Sequence, residues 1–73
     1  MIQYSTLTGI VRLNRQYQTK VIAFCHNVSE NGEFFYTKSD AGKVHGFESA
    51  EALEERRQHM LRMGWTECPY VSL

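Results

Sequence analysis

Two cysteines and three histidines are the side chains of this sequence that could ligate a metal ion or act as a nucleophile. They are Cys25, His26, His45, His59 and Cys68. Zinc sites are usually built from pairs of ligands about two to five residues apart. Cys25 and His26 are adjacent instead, and adjacent residues of a strand point to opposite faces. We therefore expect no metal site and no cofactor, with a buried strand cysteine and histidines on the surface.

Thiol or acid–base catalysis has equally little support. A nucleophilic cysteine needs a neighbouring cation or a helix N-terminus that lowers its pKa, and the sequence supplies none close to Cys25 or in the proline-interrupted tail around Cys68. Glu51 and Glu55 lie one helical turn apart, which is typical of a solvated face. No glycine-rich phosphate loop is present. We expect a protein that is not an enzyme, with a metal- or thiol-dependent small enzyme as a lesser alternative.

Aromatic and basic residues are interleaved along the predicted strands. On one face of a sheet they would form a platform on which single-stranded nucleic acid stacks. Two observations argue against this use: the whole chain has a net charge of +0, and strand aromatics more often form cross-strand packing pairs. A weak single-stranded nucleic-acid-binding module is therefore an alternative. Its contact residues would be Tyr4, Tyr17, Tyr36, Arg12, Arg15 and Lys20.

The 73-residue chain has room for a single small domain spanning residues 1–73. A domain of this size buries only about 60% of the surface that its unfolded chain exposes, so a partner or self-association is a common source of added stability. The charges are unevenly spread, because residues 1–27 carry three basic residues and no acidic one. This asymmetry is smaller than the basic footprint expected of a committed nucleic-acid binder.

The location of the protein is predicted from its N-terminus and its apolar runs. The N-terminus lacks the basic-then-apolar layout of a signal peptide, and no apolar run approaches the length of a membrane span. The two cysteines are too few for a disulfide scaffold. We expect a cytoplasmic protein with no membrane contact and with both thiols reduced.

The elements that must position these side chains are organised around one helix, predicted over residues 49–63. Ser49 is placed to accept a hydrogen bond at the helix N-terminus. Gly64 suits the left-handed residue after the C-terminus, and Trp65 is placed to fold back on Met60, as in a Schellman ending. Residues at three- and four-residue steps form a narrow, largely apolar stripe that faces a partner surface. They are Ala50, Leu53, Arg57, Met60, Leu61 and Gly64.

Segments rich in threonine, aromatic and β-branched residues precede this helix. They predict strands at residues 2–13, 17–27 and 33–38, with 43–47 as a short edge strand or a loop. After the helix, residues 65–73 could add an edge strand that their proline would limit. The predicted fold class is α+β: a three- to four-stranded antiparallel sheet, ordered as a β-meander, packed by one α-helix, with a C-terminal edge strand as an option.

Local signals give three more expectations within the sheet. Asn31-Gly32 lies between apolar strand residues, which favours a hairpin turn with positive φ at both central residues. Gly9 interrupts the first strand, which indicates a bulge or the close approach of another backbone. Alternation along that strand places Tyr4 on the face opposite Leu7.

Two features point outward from the predicted core. Arg57 interrupts the apolar stripe, and the favoured interpretation is a stem that packs while the guanidinium reaches water; the alternative is a guanidinium that pairs with a carboxylate or with a partner. The segment after Trp65 is unusually apolar for a terminus, so we expect it to dock on the sheet edge or the helix, or else to contact another chain. An unpaired edge of the first strand would recruit a partner strand.

These features favour a small, non-enzymatic regulatory or inhibitory protein that acts by protein–protein contact through an exposed sheet edge or open face. A homodimer is one form of that contact, and the identity of a protein partner is open. Proteins of one sheet and one helix are common among the accessory proteins of mobile elements, an analogy of architecture that does not establish function. The residues expected to contact a partner are Tyr4, Arg12, Arg15, Tyr17, Tyr36, Arg57 and Tyr70.

Overall fold

The computed structural model describes residues 2–73 as one sheet with one helix packed on it. The predicted α+β class is confirmed. The sheet has five strands rather than three or four, because the segment before the helix and a piece of the tail both pair with it. In chain order the elements are β1 Ile2–Leu13, β2 Gln16–Ser29, β3 Gly32–Ser39, β4 Val44–Phe47, α1 Ala50–Arg62 and β5 Thr66–Glu67.

The strands follow the order β4-β3-β2-β1-β5, and all neighbours are antiparallel. The first four strands are the predicted meander, while β5 returns to the free side of β1. There Leu7 pairs with Glu67, and the Cys68 N–H donates to the Thr6 carbonyl oxygen at 2.8 Å. The ladder ends at this point because Pro69, the next residue, has no N–H to donate.

The core lies between the helix and one face of the sheet. Leu7, Phe24 and Leu53 are at most 1% exposed, and Met60 is 8% exposed. Burying side chains of this size contributes about 1.5–3 kcal/mol each, so this cluster carries much of the stability of so small a domain. Half-buried side chains surround it: Ile22, Phe35, Phe47, Leu61 and Trp65.

Both predicted ends of the helix are confirmed. The Ser49 hydroxyl accepts a backbone N–H of the first turn at 3.1 Å. At the other end Gly64 has a φ of 103°, and the Trp65 N–H donates to the Met60 carbonyl oxygen at 3.0 Å. This is the hydrogen bond that defines a Schellman ending, and it turns Trp65 back onto the core.

A bulge near the start of β1 corrects the predicted alternation of that strand. The pairing register shifts between Gln3 and Ser5, so Tyr4 is an extra residue whose side chain turns toward the helix. The centroid of its ring lies 6.4 Å from that of Phe24. The prediction that Tyr4 lies opposite Leu7 was wrong, because one unpaired residue shifts the two-residue period of the strand.

The predicted turn type occurs in this chain, but at a different hairpin. Asn14 and Arg15 join β1 to β2 with φ values of 49° and 65°, the two positive angles that a type I′ turn requires. The hairpin predicted around Asn31-Gly32 is confirmed, since β2 and β3 pair up to Ser29 and Gly32, but its predicted turn type was wrong. That turn is centred on Glu30 and Asn31, and Gly32 already lies in β3 with a φ of 122°.

Gly9 is explained by a side chain rather than by a bulge or a second backbone. A Cβ atom at Gly9 would lie 2.4 Å from Cδ2 of Trp65, so the indole lies directly on the strand at this position. Only a residue without a side chain permits such an approach. Both options predicted for Gly9, a bulge and the approach of another backbone, were wrong, because the contacting group is the Trp65 indole.

Candidate partner-binding surface

The hairpin between β1 and β2 extends beyond the point where Trp65 covers Gly9, and its residues 10–20 are called the arm. β5 pairs only with Leu7 and Thr8 of β1, and β3 pairs with β2 from Ile22 onward. The outer edges of both arm strands therefore have no neighbouring strand within the described chain. The molecule is correspondingly elongated, with extents of 44 × 23 × 22 Å.

Solvent reaches both faces of the arm, since every residue from 12 to 19 is exposed. Two large apolar side chains are among the most exposed of the molecule: Ile10 is 72% and Tyr17 is 73% exposed. Arg12 pairs with Tyr17 and Ile10 pairs with Thr19, so these four side chains share one face. Diagonal neighbours on such a face are within reach of each other, which makes the face a small mixed patch of apolar and cationic groups.

The arm also concentrates free positive charge. Arg12, Arg15 and Lys20 lie on it, and it contains no acidic residue. Within residues 2–73 neither Arg12 nor Arg15 takes part in an ion pair. Arg15 lies at the tip, in the left-handed conformation described above, so its charge projects at the far end of the arm.

Arg57 has a different environment and holds three elements together. Its Nε donates to Ser5 Oγ at 2.9 Å, one terminal nitrogen donates to Glu54 Oε1 at 3.0 Å, and the other contacts the Glu67 carboxylate. The side chain is 16% exposed. The favoured prediction of a guanidinium in water was therefore wrong, and the alternative, pairing with a carboxylate, is confirmed. The second carboxylate partner, Glu67, lies in β5, which follows the helix in the chain.

Tyr4, Arg57 and Tyr70 meet around a cleft of about 460 Å³ between the start of β1, the helix and the tail. Burial, followed by the nearby Glu54 carboxylate, raises the pKa of Tyr4, so its hydroxyl is a hydrogen-bond donor at neutral pH. Tyr70 is 93% exposed. Among the described residues that line the cleft, Arg57 is the one cation, and it is already paired. The cleft is therefore a weaker candidate for partner binding than the arm.

The sheet face turned away from the helix is not an open platform of tyrosines. Ala23 and Cys25 are almost completely buried there, and Tyr36 is half-buried beside Cys25, with burial raising the pKa of its hydroxyl. Tyr4 lies on the helix side. Tyr17 alternates onto the same face as Cys25 and Tyr36, but it lies on the arm, far along β2 from them. The predicted platform of three tyrosines was wrong, because the bulge moves Tyr4 to the other face and Tyr17 and Tyr36 lie far apart along the sheet.

The tail supplies part of the cover over the sheet face turned away from the helix. Gln3 Nε2 donates to the Val71 carbonyl oxygen at 2.8 Å, and the Leu73 N–H donates to Gln3 Oε1 at 2.9 Å. Thr6 Oγ1 donates to the same Val71 oxygen at 3.2 Å, and Thr6 is 5% exposed. The prediction that the tail docks within its own chain is confirmed.

The sequence candidates for metal or thiol chemistry are dispersed. Burial raises the pKa of the Cys25 thiol, although Tyr36 and Lys38 act against this, so the thiol is protonated at neutral pH. His26 stacks on Phe35 with 4.7 Å between ring centroids. In the part of the chain that the structure describes, no three His, Cys, Asp or Glu side chains gather as metal ligands.

The two free cysteines are expected to differ strongly in reactivity toward a thiol reagent. Cys25 is 1% exposed, whereas Cys68 is half-buried at the sheet edge. Because the thiolate is the reacting form, Cys25 should be labelled only when the protein unfolds. The measurement is the rate of modification by Ellman's reagent in Cys68→Ser, with and without urea. Modification of native Cys68→Ser at the rate of a free thiol would contradict the buried position of Cys25.

No protein-family model, curated protein or solved structure matches this chain. Within residues 2–73, no helix is both long and apolar enough to cross a membrane.

Arg12, Arg15 and Tyr17 are the sequence candidates that the arm brings together. Sequence reasoning missed Ile10 as their neighbour. One signal for Ile10 was available in the sequence. Ile10 follows Gly9 directly, and a single helix is too short to cover the sheet beyond that position, so the Ile10 side chain had to be exposed.

Proposed function

We propose that this protein is a non-enzymatic binding protein whose arm holds a protein partner with an acidic surface. The observation that supports this is the presence, on one projecting hairpin, of unpaired strand edges, exposed apolar side chains and unpaired arginines. A free edge offers backbone hydrogen bonds to an added strand. Ile10 and Tyr17 supply apolar contact, and Arg12 and Arg15 favour an acidic partner over a basic one.

The magnitude of the charge favours protein over nucleic acid as the partner. Three cations, Arg12, Arg15 and Lys20, give a log–log salt slope of about −2.7 on a duplex, whereas binders that make about 6–10 phosphate contacts have far steeper slopes. Unpaired strand edges contribute to protein recognition and little to phosphate recognition. One observation keeps nucleic acid as the second candidate: a two-stranded ribbon with Arg12 beside Tyr17 has the dimensions that enter a major groove.

The proposal includes a regulatory role and a cytoplasmic location. Both cysteines are free in the structure, which suits a compartment that keeps thiols reduced. Binding through a two-stranded projection can occupy a partner's surface without any chemical step. Regulation by occupancy is the simplest activity that such a shape supports.

Reversing the charge of the arm with Arg12→Glu and Arg15→Glu is expected to weaken partner binding at least tenfold, or about 1.4 kcal/mol. Both side chains are exposed and unpaired, so the variant should fold with nearly unchanged stability. The measurement is affinity capture with wild-type and variant baits, quantified by mass spectrometry, followed by titration of each recovered protein in purified form.

The matched control is Arg62→Glu, which reverses an exposed charge on the helix. It should leave binding within twofold of wild type. Equal binding by the arm variant and the wild type would contradict the proposal. If the captured material is nuclease-sensitive and follows the salt slope given above, the second candidate replaces the first.

A second copy of the chain is the other protein partner that we propose to test. Contact between two arms would bring Arg12 and Arg15 of both copies together, and like charges directly opposite each other destabilise strand pairing. A homodimer would therefore pair through the opposite edge of the sheet, at β4, where Val44 is 60% exposed. Sedimentation velocity of the wild type and of Val44→Lys distinguishes the two states, since a lysine on an edge strand opposes pairing.

A further inference from the structure

A groove on the helix side of the sheet combines an apolar floor with a size suited to a small ligand. It lies between β3, β4 and the C-terminal half of α1, encloses about 410 Å³, and is called the basic groove. Sites for small molecules typically enclose about 300–1,000 Å³ and are mostly apolar. The apolar lining comes from Ile22, Phe47, Met60, Met63 and Trp65.

The rim of the basic groove is cationic on two opposing sides. Lys43 and His45 come from the β4 side, while Arg56 and His59 come from the helix. Lys43 and Arg56 each present several N–H donors, and each histidine has at least one N–H to donate. No acidic residue of the described chain lines the groove. An anion placed between these two sides would meet donors from both.

The helix wall of the basic groove has few free backbone groups to offer, because the helix backbone is bonded internally, as in the Met63 N–H to His59 carbonyl contact of 3.0 Å. On the opposite wall the outer edge of β4 is free within residues 2–73, but the backbone groups of a strand lie in the plane of the sheet and not toward the face that carries the groove. A peptide laid here would leave its own backbone groups unpaired, which is costly. A ligand with an apolar body and a single anionic head avoids that cost.

We propose that the basic groove binds an amphiphilic carboxylate, an aliphatic chain that ends in one carboxylate group. The chain lies on the floor formed by Met60, Met63 and Trp65, and the carboxylate lies between Lys43 and Arg56. Arg56 can hold a carboxylate through two parallel hydrogen bonds, and the burial of the chain supplies the remaining attraction. The site is separate from the arm and does not depend on the function proposed above.

Trp65 makes the proposal directly measurable, because it is the one tryptophan of the sequence and lines the groove. Titration of the full chain with dodecanoate, kept below its micelle concentration, is expected to change Trp65 emission saturably with one-to-one stoichiometry. Dodecanol, the same chain without a charge, should bind at least tenfold more weakly. Acetate, the head without the chain, should leave the emission unchanged.

Variants of the rim and floor test the assignment of residues. Lys43→Gln with Arg56→Gln should weaken dodecanoate binding at least tenfold, whereas Arg15→Gln with Arg62→Gln removes the same charge elsewhere and should leave it unchanged. Met63→Ser removes part of the floor and should also weaken binding. Met63 is 69% exposed, so this variant is expected to fold normally.

Three results would overturn the proposal. Equal affinity for dodecanol and dodecanoate would show an apolar surface with no recognition of the anion. Equal losses in the groove and control variants would show an effect of overall charge. Tighter binding of dodecyl phosphate than of dodecanoate would assign the groove to phosphate head groups instead of carboxylates.

Discussion

Phe24→Ala is expected to lower the free energy of unfolding by about 3–5 kcal/mol, the cost of removing a fully buried aromatic side chain and leaving a cavity. Phe24 is 0% exposed in the central strand β2, where it packs with Leu7, Leu53 and Met60. A domain of this size has a total stability on the order of 5 kcal/mol, so most molecules of the variant should be unfolded or close to it. Urea denaturation followed by circular dichroism measures the change.

Phe34→Ala is the matched control for this prediction. The same side chain is removed from the neighbouring strand β3, where Phe34 is 48% exposed and lies outside the buried cluster. Its loss should change the unfolding free energy by about 1 kcal/mol or less. If both variants lower the urea midpoint equally, the core does not lie where the structure places it.

The helix was predictable because its determinants are local. Ser49, Gly64 and Trp65 act on backbone groups no more than five residues away, and the stripe through Leu53 and Met60 repeats with the helical period. A pattern of this kind is complete within about fifteen residues and needs no knowledge of the rest of the fold. The same holds for the extended segments, whose composition favours strands wherever they pair.

The face of the sheet that each β1 side chain occupies was not predictable, because it depends on the register in which β1 pairs with β2. The sequence Gln3-Tyr4-Ser5 contains no glycine or proline to announce a bulge. The shift becomes necessary only when Ser5 pairs with Phe24 while Gln3 stays opposite Cys25. One extra residue then moves Tyr4 from the predicted open face to the helix side, and with it one member of the predicted contact set.

The partners of charged side chains were also hidden in the sequence. Arg57 was recognisable as an anomaly in its stripe, but Glu67 reaches it only because the tail returns along β1. The basic groove shows this more strongly. Lys43 and Arg56 have no motif spacing in the sequence, and they line one groove only because β4 and the helix border the same space. The positive charge of the arm was visible in the sequence as a segment without acidic residues. That the arm projects from the sheet was not visible, because it depends on where β5 and β3 stop pairing with β1 and β2.

Gly9→Ala is expected to lower the free energy of unfolding by about 1–3 kcal/mol, because it places a methyl group where Trp65 already lies. The added Cβ would be 2.4 Å from Cδ2 and 2.7 Å from Cε2 of the indole. No rotation of the new side chain relieves this contact, since a Cβ has no torsion of its own. Either the indole leaves the core or the strand moves. Urea denaturation measures the cost, and the emission of Trp65 reports the displaced indole.

Gly46→Ala is the matched control, because Gly46 lies in strand β4 and a Cβ atom added there would have no neighbouring atom within 4 Å among the described residues. There the substitution should be neutral, or should raise the free energy of unfolding by about 0.4–1 kcal/mol, because alanine lowers the conformational entropy of the unfolded chain.

A second test introduces Gly9→Ala into the Trp65→Leu variant, where the smaller side chain leaves room for the methyl group. The cost of the alanine should then largely disappear, which would measure the coupling between the two residues directly. An undiminished cost in that background would mean that Gly9 is required by the backbone of β1 and not by the indole.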